Sequence, residues 1–285
     1  MRPEIDPKVD YAFKRLFGRD QNRDLLLHLL NAVLQLRVQD RLTELQLLNP
    51  FSDKESLDDK MSIVDVKARD QQGRLFDIEM QVLPERAFCS RVLYYWADLH
   101  RQQLSAGEPY TVLRPTISVC ITNFVLFPQV PDYHLRFELL NATHGLSFSH
   151  DLLVVLLELP KFQQTASQLA QPLDAWLYFL RHAEELDTED LPPALRTAEI
   201  LRAMEELTVI SQNDLERERY LARVKVERDE LSRLHSAREE GKLIGTIQLC
   251  QRLLKRPLTP HQDLLALSLA ELQQLAQRLE QEFTQ

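Results

Sequence analysis

The stretch MSIVDVKARDQQGRLFDIEMQVL, residues 61–83, alternates apolar and polar residues on both sides of Asp70-Gln71-Gln72-Gly73, the pattern of a β-hairpin. Successive strand residues face opposite ways, so Val64 and Val66 share one face of the first arm and Asp65 and Lys67 the other. On the second arm Phe76, Ile78, Met80 and Val82 form the apolar face, leaving Asp77, Glu79 and Gln81 opposite. Closing the hairpin symmetrically about Gln71-Gln72 sets Asp65 against Glu79 or beside it. Like charges in that relation repel, and the arrangement makes sense where a cation lies between them. Two carboxylates, water and a phosphate oxygen are a usual shell for a Mg²⁺ that polarises a phosphodiester and lowers the pKa of an attacking water. The competing reading is a solvated hairpin face on which Lys67 pairs with Asp77 and the other acids point into water.

The elements around this hairpin follow from periodicity. Residues 8–36 have helical spacing, through Val9, Phe13, Leu16 and Phe17 and then Leu25 to Leu34, with an interruption at Gly18. Leu42 to Leu48 is a short strand ended by Asn49-Pro50, and Ser52 to Asp59 is a polar loop. Ala87 to Leu104 returns to helical spacing, with Tyr94, Tyr95 and Trp96 expected to lie at least in part within the core. Thr116 to Phe127 is a nearly continuous β-branched and apolar run, as in a strand buried on both faces. Two more strands, Tyr133 to Leu140 and Leu152 to Leu159, flank a Thr-His-Gly turn. Beyond Pro160 the β signal ends. Ser211 to Glu240 has the alternating charges of a solvated or coiled-coil-like helix, and two further helices are expected over Gly241 to Lys255 and His261 to Phe283. The chain is expected to divide into a core over residues 1–162, a helical extension over 163–240 and a helical module over 241–285, the C-terminal helices pairing two copies into a dimer.

Composition narrows the chemistry. Only 6 glycines occur in 285 residues, and none of their spacings forms a phosphate-cradling loop, which argues against nucleotide-driven reactions. Cys89, Cys120 and Cys250 are scattered, form no Cys-x-x-Cys pair and suit a reducing, cytoplasmic setting. No signal-like start and no apolar run of membrane length occur, so no membrane partner is expected. The net charge of -9 is uneven: residues 1–125 carry 17 Lys and Arg against 18 Asp and Glu, residues 126–285 carry 17 against 25. The acidity therefore does not oppose DNA binding by the N-terminal half. His134, His144 and His150 lack metal-ligand spacing, and Ser147 and Ser149 lack a nucleophile signature.

Several segments in order resemble one nuclease family. They are VDYAFKRLFG with Asp10, Phe13, Lys14 and Phe17; Asp65 followed by GRLFDIEMQV with Glu79-Met80-Gln81; RVLYYWADLHRQQLSAGEPY with Arg91, Tyr95, Gly107 and Tyr110; PTISVCITNF; and ELPKF. Together they resemble the Asp…Glu-x-Lys core of the PD-(D/E)XK nucleases in the form carried by the recombination-promoting nuclease and transposase (Rpn) family, over about residues 6–162. The resemblance implies an α/β, restriction-endonuclease-like αβββαβ core with a mixed sheet, followed by an all-helical C-terminal region. It implies that Asp65 and Glu79 ligate Mg²⁺ or Mn²⁺, with Gln81 at the Lys position, where an amide can orient water but cannot match the charge of an ammonium. Lys67 is a second source of positive charge, or the partner of Asp77. Asp10 is a third metal carboxylate, or the i,i+4 partner of Lys14. Arg91, Tyr95 and Lys14 are the candidate phosphate contacts, Arg91 and Tyr95 lying one helical turn apart. The implied activity is metal-dependent DNA endonuclease chemistry linked to recombination or mobile elements. The alternative is a weak or inactive nuclease fold serving DNA binding, assembly, or phage defence and toxin regulation.

Overall fold

The structure, a computed structural model, describes residues 2–49 and 65–284, the side chains of Asp65 and Thr284 excepted. The polar loop expected over Ser52 to Asp59, and Val64 of the hairpin, lie outside the described residues. Helix α1 (Asp10–Phe17) stops at Gly18, and after one 3-10 turn α2 (Arg23–Leu34) follows. Strand β1 (Leu45–Leu47) precedes the hairpin of β2 (Asp65–Asp70) and β3 (Leu75–Gln81). Then come α3 (Phe88–Arg101), β4 (Thr116–Thr122), β5 (His134–Glu138) and β6 (Leu152–Glu158). The remainder is α4 (Pro172–His182), α5 (Ala198–Gln212), α6 (Asp214–Leu253), α7 (His261–Leu265) and α8 (Leu269–Thr284).

Among the described residues the strands form one mixed sheet in the order β1-β2-β3-β4-β6-β5. The pairs β1–β2, β2–β3 and β5–β6 are antiparallel, while β3–β4 and β4–β6 are parallel. A parallel pair needs a crossover, and α3 supplies it between β3 and β4. Its Phe88 and Val92 pack on Cys120 of β4 and Leu156 of β6. The opposite face, including Ile78, Met80, Val119, Ile121 and Val155, is buried too, and α1 and α2 pack on β2 and β1. The hairpin turn is fixed by Asp70, whose Oδ1 accepts the N–H groups of Gln72 at 2.9 Å and Arg74 at 2.8 Å. Gly73 is required there: its φ is +81°, and an added Cβ would lie 3.3 Å from Arg114 Cγ.

Central placement changes the expected exposure of β3. Every residue from Leu75 to Met80 is buried, so Asp77 and Glu79 do not point into water, and the solvated-face reading of the hairpin is corrected. The strand expected over Thr116 to Phe127 stops at Thr122, where Asn123 N–H bonds Gln81 O and Thr122 Oγ1 donates to Phe124 O, turning the chain. The carboxylate of Glu158, on β6, accepts the N–H groups of Leu126 and Phe127 and pairs with Lys161, pinning this turn. Tyr94 is exposed and Tyr95 and Trp96 are half-buried, so none joins the core as expected; the Trp96 indole N–H reaches Thr116 O at 2.8 Å.

The contacts divide the chain into compact units over residues 1–223 and 224–285. Residue 162, where the β signal ends, lies inside the first, because α4 and α5 pack on α1 and α2. The start of α6 is tied to α1 by buried charge: Arg15 donates to Glu216 as well as to Glu206 of α5, and Tyr11 Oη donates to Glu216 Oε2 at 2.6 Å; just before α1, Asp6 N–H reaches Tyr220 Oη at 2.9 Å. In the second unit Ile244, Ile247 and Cys250 of α6 pack with Leu264, Leu272, Ala276 and Leu279. The helix expected to begin at Gly241 is the continuation of α6; Gly241 and Gly245 each cost about 1 kcal/mol and do not break a helix of this length. The single helix expected over His261 to Phe283 is two, because Ser268 and Glu271 form reciprocal capping bonds that start α8 afresh.

These ties set where the chain can be cut. A chain ending at Arg223 is expected to unfold in urea as one cooperative unit. One ending at Gln212 leaves Arg15 without Glu216 and is expected to lose about 3 kcal/mol or more of that stability. Equal stabilities would contradict the assignment.

Candidate metal and phosphate site

The register of the hairpin places Asp65 directly across from Glu79 and Lys67 across from Asp77. Glu79 is in turn paired with Cys120 of β4. Partners in register share a face, so Asp65, Glu79 and Cys120 form one row across the sheet, on the side that α3 covers. The neighbouring row joins Lys67, Asp77 and Ser118, and Gln81 stands beside Thr122, which in turn pairs with Glu158. Of these, Glu79 is 2% exposed and Asp77 5%, while Lys67 is half-buried.

A carboxylate on a buried central strand needs a counter-charge, and α3 brings one. Phe88 and Val92, four residues apart, anchor the first turns of α3 on the sheet, which leaves Arg91 beside them over the end of β3. Arg91 Nη2 donates to Glu79 Oε1 at 2.5 Å and to Gln81 Oε1 at 2.9 Å, and Nη1 donates to Glu85. Its Cζ lies 5.7 Å from the centre of the Phe88 ring. Gln81 is oriented at both ends, because its Nε2 donates to Leu83 O at 2.8 Å. Tyr95, one turn beyond Arg91, packs its ring edge-on against Tyr94 at 5.8 Å. The charge of the row reaches Cys120: burial first, then Glu79 and Asp77, push its thiol well above the ordinary range, so Cys120 stays protonated and serves packing.

Asp10 and Lys14 sit on α1, which packs against β2. Asp10 Oδ1 lies 3.2 Å from Lys14 Nζ and Oδ2 lies 3.8 Å from Arg223 Nε, so the i,i+4 pair is formed and extended to the start of α6. Sequence patterns missed Glu85. It precedes α3 in a turn and is six residues from Arg91, a separation that carries no periodic signal.

The two oxygens that meet at the Arg91 guanidinium, of the Glu79 carboxylate and the Gln81 amide, are of the kind a hard divalent cation takes, and a positive group already lies against both. Among the described residues no three His, Cys, Asp or Glu side chains converge on one point; the Asp65 side chain is not among them. No helix among the described residues is long and apolar enough to cross a membrane.

Comparison with known families matches residues 7–237 to the PD-(D/E)XK nuclease family transposase. The match agrees with the resemblance read from the motifs, and the mixed sheet with its flanking helices is the α/β, restriction-endonuclease-like fold that resemblance implied. Comparison with curated proteins finds no match, and comparison with solved structures finds none.

The ion pair predicts an asymmetric cost of mutation in metal-free buffer. Arg91→Met leaves Glu79 buried beside no guanidinium and is expected to lose about 3–5 kcal/mol, whereas Glu79→Gln keeps an acceptor for Arg91 and loses about 1–2 kcal/mol. The Arg91→Met/Glu79→Met double variant should recover most of the first loss. Urea unfolding measures all three, and equal losses for the two single variants would contradict the pairing.

Proposed function

Since the chain belongs to the PD-(D/E)XK nuclease family transposases, we propose that it is a metal-dependent DNA endonuclease that hydrolyses phosphodiester bonds in recombination or mobile-element processes. The observation that carries this reading is the register: Asp65 stands opposite Glu79, and Gln81 follows two residues on, at the position of the motif's lysine. Nucleases of this superfamily generally use divalent metals, and Asp65 and Glu79 would hold Mg²⁺ or Mn²⁺, with Asp10 the candidate third carboxylate. Bound there, the ion would polarise the scissile phosphate and lower the pKa of the attacking water.

The remaining work falls to side chains. The Gln81 amide orients a water toward the phosphorus, fixed by its bond to Leu83 O. Lys67 places positive charge on the same face, where negative charge grows as the phosphate is attacked. Arg91 and Tyr95, one turn apart on α3, together with Lys14 on α1, take phosphate oxygens of the DNA backbone. On this reading residues 1–162 carry the catalytic core, 163–240 a helical extension and 241–285 a terminal helical module, in a cytoplasmic protein. Leu231 and Leu234, three residues apart and exposed on α6, supply the apolar surface through which two copies pair.

A second reading is a catalytically weak or silent nuclease fold that binds DNA, assembles, or acts in phage defence or toxin regulation. The grip of Arg91 on both Glu79 and Gln81 favours it.

Cleavage of plasmid DNA in Mg²⁺ separates the two. Asp65→Ala is expected to stay folded and to lose activity about a hundredfold or more, because several kcal/mol of transition-state stabilisation leave with the metal. Gln81→Lys should retain or raise activity, and Gln81→Ala should lose it. A folded Asp65→Ala variant that cuts like the wild type rules out this hairpin as the site; a wild type that binds DNA without cutting it favours the second reading. Light scattering tests the assembly: the full chain is expected to be dimeric and the chain ending at Arg223 monomeric, and a truncated chain that remains a dimer contradicts pairing through α6.

A further inference from the structure

The guanidinium of Arg91 occupies the oxygens that the proposed chemistry needs. Its Nη2 bonds Glu79 Oε1 and Gln81 Oε1 together, the oxygens of the carboxylate meant for a metal and of the amide meant for a water. A divalent ion ligated by Glu79 Oε1 would lie against the guanidinium that already bonds that oxygen, and two cations so close in a buried site repel. We infer that Arg91 is a built-in counter-cation that holds Glu79 while the site lacks metal and must withdraw toward Glu85 before a divalent ion can bind. This inference rests on the reading of Asp65 and Glu79 as metal ligands.

Three observations support an exchange of partners over a permanent pair. Glu79 is 2% exposed, so in the absence of a metal its charge needs compensation, and Arg91 supplies it. The inward position is incompletely satisfied: Arg91 Nε is buried and has no hydrogen-bond partner among the described residues, which leaves a desolvated donor to be recovered on moving out. Finally, Nη1 already bonds Glu85, whose side chain is 42% exposed at the outer edge of the site. Rotation of the arginine stem can release Glu79 while that outer bond persists. The released fork then lies toward the exposed Glu85, where a DNA phosphate would meet it. One residue would thus neutralise the empty site and contact phosphate in the loaded one.

The cost of withdrawal appears in metal affinity. If the inward position is populated about nine-tenths of the time, the apparent dissociation constant is raised about tenfold over that of an open site. Titration calorimetry of the full chain with MnCl₂, without DNA, reads this directly. Arg91→Lys is the decisive variant, because it keeps the positive charge but is too short and too narrow to bridge Glu79, Gln81 and Glu85. Arg91→Lys and Arg91→Met are expected to bind Mn²⁺ about tenfold more tightly than the wild type. Glu85→Gln, which removes the outer anchor, should bind severalfold more weakly. Thermal unfolding gives a second readout: saturating Mn²⁺ should raise the melting temperature of Arg91→Lys more than that of the wild type, since a ligand stabilises in proportion to its binding. Unchanged or weaker Mn²⁺ binding by a folded Arg91→Lys chain overturns the inference while leaving the metal site standing. Absence of Mn²⁺ binding in the wild type and every variant overturns the inference together with the metal reading beneath it.

Discussion

Glu79 places a full negative charge on a strand with neighbours on both sides and a helix over it, and the site is organised around meeting that charge. The antiparallel partner β2 contributes Asp65 opposite it, the parallel partner β4 contributes Cys120, and α3 contributes Arg91. Moving a carboxylate out of water costs several kcal/mol unless it is paired and hydrogen-bonded. That cost explains why the first turns of α3 are tied so firmly, with Phe88 and Val92 in the apolar cluster on β4 and β6 and Arg91 on the carboxylate between them and the hairpin. A solvent-exposed hairpin would not need such support.

The alternation of apolar and polar residues made the hairpin readable in advance and its register to within one residue; the structure sets Asp65 directly against Glu79, the choice that keeps Val66, Ala68, Ile78 and Met80 in the core. The fold class was readable too, from the strong helical spacing of residues 8–36, the β-branched run of β4 and the loss of β signal after Pro160. Alternation says which face a residue takes, however, and not what covers that face. Spacing alone therefore favoured a solvated acid row, and only the parallel pairing with β4 and the crossover helix show it to be buried. Tyr94 and Trp96 fall short of the core for the related reason that periodicity locates a stripe without fixing its depth. Glu85 and the Glu158 clasp on the turn after β4 depend on contacts between separate elements, and no local spacing announces them.

The long acidic helix α6 belongs to a different layer of organisation. Its start is fastened to the core by Arg15, Glu216 and Tyr220, so the core unit includes helices that composition alone would assign to a separate extension. Electrostatic work is thus divided within the first unit: α1 and α6 satisfy each other's charges through Arg15, Asp10 and Arg223, while the charges of the hairpin and α3 satisfy one another across the sheet. The family match spans both groups, from residue 7 to residue 237.

A crystal structure grown in saturating Mn²⁺ tests the central claim, that the Asp65 and Glu79 pair is a cation site held by Arg91 in the metal-free chain. The account expects an anomalous-scattering peak between the two carboxylates, with Arg91 withdrawn from Glu79 and still bonded to Glu85. Crystals without such a peak, in which Arg91 Nη2 remains on Glu79 Oε1, would contradict it.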